Sequence, residues 1–279
     1  MPPFLYNLSH DTPPSHTSLQ RLLTTHNTNS TPTTTTIRPN LLTVLLRPRL
    51  PPKPRARARK ATRTMRLPYA PQTAPDSASQ TDKDIYARIS ARRAPRPLIA
   101  LDRALLHAPP VADGWNSFLG AIRSRTTLPA ASIQELAICR VAVLNRAAYE
   151  WDAHSVLAMK DGGEGDGPVS EEGLKTVLDA EEWTGEGLGE RLERLKEEVG
   201  GNTKGGLSWR QWVVLAYTDQ MTREVQVDEA IWEAVRGEFG ERQSVELTAT
   251  VAAYNCVSRF LAALDVGEKN GAGMEVPKK

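Results

Sequence analysis

The chain has 279 residues, with 35 Lys and Arg against 33 Asp and Glu, two cysteines and 6% aromatic residues, a length that allows one or two ordinary domains. The near balance hides a polarised chain: residues 1–64 carry ten basic side chains and one acid, Asp11, whereas the remainder carries 25 bases and 32 acids, a net of −7. An acidic body repels a phosphate backbone, no unbroken apolar run nears the roughly 18–20 residues of a bilayer span, and Cys139 and Cys256 are too few and too distant for a disulfide framework or a thiolate zinc site; neither nucleic acid nor a membrane is expected as a partner.

Residues 1–64 are rich in Ser, Thr, Pro and Arg, with a run at Thr33–Thr36 and Pro-Arg alternation through 48–59. Proline fixes φ and removes donors, and this composition has little apolar surface to offset the entropy of ordering, so a disordered extension is expected. A basic, acid-poor leader also fits a mitochondrial transit peptide, against which the prolines would break an amphipathic helix around Leu41–Leu46. A third alternative is a start misassigned ahead of Met65. A cytoplasmic protein is expected without the transit peptide, a mitochondrial one with it. The ordered domain is expected over residues 65–270, followed by a disordered tail at 271–279.

From Asp76 onward the apolar spacing is helical. Ile85 and Ile89 predict a surface helix over 82–94, stopped by Pro95 and Pro97, and 98–106 predicts a second, ended by Pro109-Pro110. Val111, Trp115, Phe118, Leu119 and Ile122 mark a third at 111–124. Ser132 with Glu135 forms a capping-box pattern ahead of a helix at 133–147, apolar on nearly all faces and therefore central in the core. Further helices are expected at 148–160, 170–180, 186–199, from Trp209 with Ser208 as its cap, at 227–239 and at 241–265. The glycine-rich loop 162–168 lacks the Gly-Lys-Ser/Thr ending of a phosphate loop and the carboxylate spacing of a calcium loop. The body is all-α.

Of five histidines, only His107 and His154 lie in the expected domain. His154 follows Glu150 by four residues and shares its helical face. A carboxylate and an imidazole at a helix interface can exchange protons; the plainer alternative is a surface ion pair. Glu135 opens the preceding helix, but simple antiparallel packing of 133–147 on 148–160 does not by itself bring Glu135 beside His154.

The stretch from Glu135 through Cys139, Arg140, Asn145, Ala147 and Tyr149-Glu150-Trp151-Asp152-Ala153-His154, with Ala216–Asp219, Glu246-Leu247-Thr248 and Tyr254–Leu261 downstream, resembles the carboxymuconolactone decarboxylase and alkylhydroperoxidase D superfamily. The resemblance covers most of residues 66–266. It implies an AhpD-like helical fold with a buried signature helix pair, assembled as a homo-oligomer (trimer or hexamer), with the site beneath the signature helices. Peroxidase members place two cysteines between the glutamate and the histidine. Here Ala147 and Glu150 stand at those positions, so a thiol peroxidase is the disfavoured alternative, and a non-catalytic oligomeric scaffold is another.

The decarboxylase branch, which uses neither sulfur nor cofactor, shares the aromatic–Glu–aromatic run Tyr149-Glu150-Trp151. The resemblance therefore implies a cofactor-independent acid–base lyase acting on a small carboxylate, with His154 and Glu150 transferring protons and Glu135 orienting them. Tyr149, Trp151 and Asn145 are the accompanying substrate-binding candidates. Arg140, Arg146 and Arg259 are candidate cations for the substrate carboxylate, with a structural ion pair to Glu135 or Glu246 as the plainer role of Arg259. No metal or other cofactor is expected.

Overall fold

Short polar side chains and prolines set the helix boundaries. In the computed structural model, which describes residues 64–160 and 167–278, Ser79 accepts a hydrogen bond from the Asp82 amide and starts α1 (Gln80–Arg93). After α2 (Ala100–Leu105), α3 (Pro109–Arg125) begins on Pro109-Pro110. The two prolines expected as a stop are thus also a start, because the first helical positions need no amide donor. A π-helical turn, Ala130–Gln134, leads into α4 (Glu135–Leu144), followed by α5 (Ala148–Ala158), α6 (Glu171–Asp179) and α7 (Leu188–Val199). Ser208 and Gln211 exchange the two hydrogen bonds of a capping box at the start of α8 (Trp209–Arg223). The last helix, α9 (Glu229–Leu264), is broken at Gly240, whose φ of 63° only glycine adopts freely; the two helices expected on either side of residue 240 meet there.

The described residues contain nine α-helices and no strand, so the all-α expectation holds at that level. Apart from Val143, every side chain of α4 is buried, and α4 packs against α5, α8 and α9 at once. A helix enclosed by three others has no polar face to spare, which explains the all-round apolar pattern. Burying Ile133, Leu136, Ile138 and Leu215 contributes about 1.5–3 kcal/mol each. An ion pair lies inside this core. Arg140 forms a two-pronged ion pair with Asp219 at 2.6 and 2.7 Å and donates to the carbonyls of Val177 and Ala180. Asp219 also accepts the Trp183 amide, so the pair ties α4 and α8 to the segment after α6.

Three expectations are corrected. The capping box at Ser132–Glu135 does not form: Ser132 lies inside the π-helical turn, and the Glu135 carboxylate is drawn to other partners. Residues 271–278 are not a loose tail, since Met274 and Val276 pack on the core and the Glu275 carbonyl accepts the Trp151 indole N–H at 2.8 Å. Third, α9 is, by length and composition, long and apolar enough to cross a membrane. Thr248, Thr250, Asn255, Ser258 and Arg259 interrupt its apolar run in the sequence. Leu247, Val251, Tyr254, Val257 and Leu261 of that helix are buried in the protein. Residues 1–63 and most of the glycine-rich loop, with the expectations attached to them, lie outside the described residues.

Candidate functional site

Four helices deliver one side chain each to a common point. Arg123 comes from the last turn of α3, Glu135 from the first turn of α4, His154 from α5 and Tyr254 from α9. Glu135 is buried and bridges two of the others: Oε2 lies 2.6 Å from His154 Nδ1 and Oε1 lies 2.5 Å from Arg123 Nη2. Arg123 is itself held by Gln134, which accepts from Nη1 at 3.1 Å while its own amide donates to the Ile122 carbonyl at 2.8 Å. The Arg123 guanidinium is also close enough to the Tyr254 hydroxyl to act on it electrostatically. The Tyr254 and His154 rings meet edge to face, centroids 5.1 Å apart at 84°. The four groups therefore close a ring of contacts.

Burial alone would push the Glu135 carboxyl up. The hydrogen bond and charge of His154, followed by those of Arg123, outweigh burial and hold the group below the ordinary carboxylate range. An ionised carboxylate has no hydrogen to give, so the proton in the 2.6 Å contact belongs to Nδ1, and Glu135 fixes both the ring orientation and the tautomer. Nε2 is left without a hydrogen-bond partner among the described residues. Burial draws the Arg123 guanidinium down, but Tyr254 and Glu135 overcome it and raise it above its usual value. The His154 and Arg123 side chains keep 16% and 29% of their exposure, against 3% for Glu135. A molecule arriving from solvent meets the imidazole and the guanidinium, with the carboxylate behind them.

Glu150 lies deeper. Its side chain is fully enclosed, neither carboxyl oxygen has a hydrogen-bond partner among the described residues, and burial pushes it well above the ordinary range. It is close enough to act electrostatically on Tyr254 and on Cys139. Cys139 is itself buried in α4, and burial, reinforced by Glu135 and Glu150, pushes its thiol well up, away from the reactive thiolate. Ala147, at the other position where peroxidase members carry sulfur, is buried.

The remaining candidates are not brought to this point. Tyr149 lies elsewhere, within reach of the Leu101 backbone and with its ring packed against Gly267. Trp151 is enclosed and spends its N–H on the C-terminal segment. Asn145 clamps α4 to α9 through Asn255 and Ser258 at 3.0 and 2.7 Å. Arg140 is committed to Asp219. Arg146 is exposed at a left-handed turn between α4 and α5. Arg259 is exposed and folds onto Asn255 of its own helix, while Glu246 pairs with Arg242; the expected ion pair to Glu135 or Glu246 is absent.

Two members of the ring escaped the sequence analysis as site residues, Arg123 and Tyr254, as did Gln134, which holds Arg123. A signal for the first existed: Trp115, Leu119 and Arg123 follow one another at four-residue spacing, which puts a cation on an inward, apolar face. Tyr254 stands in the sequence only as the first residue of the Tyr254–Leu261 stretch, with no role of its own. The cavity lined by Trp183, Arg191, Leu195 and Trp212 and the groove at Gly237 and Gly240 share no residue with the ring. No family model, curated protein or solved structure matches this chain.

Proposed function

We propose that the chain is a cofactor-independent acid–base lyase of carboxymuconolactone decarboxylase type, acting on a small carboxylate. The observation that carries this reading is the 2.6 Å contact between Glu135 and His154, set at a helix junction with Arg123 on the second carboxylate oxygen. In a decarboxylation of this class, the bond between the carboxylate carbon and the adjacent carbon breaks and carbon dioxide leaves. The electron pair moves into the conjugated system, and a proton is then delivered to carbon. Protonated His154 supplies that proton from Nε2 and recovers one from water. Glu135, already ionised, stabilises the imidazolium in the interval. Glu150 is a second proton source, because its environment favours the neutral acid. The raised thiol of Cys139 and the absence of sulfur at Ala147 and Glu150 weigh against peroxide chemistry.

His154→Ala should lower turnover of lactone carboxylates by about 10²–10⁴-fold, the usual contribution of a general acid or base, with the helical circular dichroism unchanged. Carbon dioxide release from a panel of such compounds is the readout. Turnover near the wild-type rate in the variant would sink the assignment.

A further inference from the structure

Loss of carbon dioxide needs a place for the electron pair as well as a proton donor, and neither His154 nor Glu135 supplies one. Tyr254 is the group available. It is buried on the face of α9 that packs into the core, next to Val251 and Val257, where a phenylalanine would fill the same space without bringing a hydroxyl out of water. The Arg123 guanidinium acts electrostatically on the phenol, and among the described residues nothing accepts the hydroxyl hydrogen. A cation near a phenol favours negative charge on its oxygen, which makes the O–H a stronger donor. The other polar groups around the ring are committed: the Gln134 amide to Ile122 and Arg123 to Glu135 and Gln134.

We propose that Tyr254, backed by Arg123, is a further catalytic residue whose O–H donates to the oxygen on which enolate charge develops. The inference rests on the acid–base reading above. Carbon–carbon cleavage sends the electron pair through the conjugated system to a carbonyl oxygen, Tyr254 hydrogen-bonds that oxyanion without giving up its proton, and His154 returns a proton to carbon. Burial, which Arg123 only partly counters, raises the phenol far above its ordinary range, so it stays a donor across the working pH. Its place against the His154 ring, 5.1 Å between centroids, puts oxyanion donor and proton donor on one small substrate.

The test compares Tyr254→Phe with His154→Ala and, as a control for loss of a buried phenol elsewhere, Tyr217→Phe, whose hydroxyl bonds Thr248. Tyr254→Phe should lower kcat by about 10²–10³-fold, as removal of one oxyanion donor does, with KM changed less than about threefold and Tyr217→Phe near wild type. Independently of turnover, oxalate, a planar dianion shaped like an enediolate, should bind wild type and His154→Ala at least about tenfold tighter than Tyr254→Phe, the scale of one lost hydrogen bond to a charged group. Equal oxalate affinity in wild type and Tyr254→Phe, no binding to either, or unaltered kcat in Tyr254→Phe would each overturn the inference. If no lactone carboxylate is turned over by wild type while oxalate still distinguishes Tyr254→Phe, the acid–base reading fails and the donor role of Tyr254 stands.

Discussion

Glu150 and Glu135 are two carboxyls in one region driven in opposite directions, and their pH signatures should differ in sign. The enclosed Glu150 binds its proton more tightly folded than unfolded. Above the ordinary carboxylate value the unfolded chain has released that proton and the folded chain has not, so stability falls as pH rises through the window up to the folded value, by up to about 1.4 kcal/mol per pH unit. Glu135 is held below its ordinary value; its contribution is complete above that value and is lost as pH falls through the folded one. Thermal melts of wild type, Glu150→Gln and Glu135→Gln between acid and mildly alkaline pH separate the two. Glu150→Gln should flatten the alkaline limb and leave the acid limb, and Glu135→Gln should do the reverse. Identical slopes in wild type and Glu150→Gln would show that the carboxyl ionises in the fold. The contrast comes from partners alone, because Glu135 has His154 and Arg123 where Glu150 has none.

At the level of elements, α4 is fixed at two points. Its first residue belongs to the ring of Arg123, His154 and Tyr254, and its middle carries Arg140, which reaches across to α8 and to the last turn of α6 and the residue after it. Burial pushes the Asp219 carboxyl up even with Arg140 beside it, so the pair itself does little to stabilise the fold, whereas stranding one partner is expensive. Arg140→Met should destabilise by about 3–5 kcal/mol, because it leaves Asp219 enclosed without a cation; urea unfolding of the variant checks this. Adding Asp219→Leu should recover only part of the loss, since the Trp183 amide then has no acceptor. A loss below about 1 kcal/mol in Arg140→Met would mean that water reaches the pair. The Gly240 break matters for a related reason. It lets one long α9 follow two directions, the second half burying Leu247, Val251 and Tyr254.

For the whole molecule, we propose from the same resemblance a homo-oligomer of three or six copies, and sedimentation equilibrium of the full chain should return one of those masses; a monomer at micromolar concentration would refute it. Helical periodicity, proline and glycine punctuation and the all-round apolar pattern of α4 made the all-α body and nearly every helix boundary legible, because these are local properties of backbone and burial. The same locality set Glu150 and His154 on one face of α5, but in the structure His154 pairs with Glu135 and the Glu150 carboxyl has no hydrogen-bond partner among the described residues. Locality also misassigned Ser132 as a cap and residues 271–279 as a loose tail, since a nearby carboxylate or a distant indole decides such details. Which groups meet His154 was settled by how α3, α4, α5 and α9 cross. Spacing within a helix says nothing of those angles, so Glu135 at 2.6 Å, and Arg123 and Tyr254 as members of the ring, were fixed only when buried packing chose one arrangement. The chain order alone determined which residue types could carry acid–base chemistry; the tertiary structure decided which were enclosed, which were paired and which faced solvent, because charge and proton affinity depend on neighbours remote in sequence.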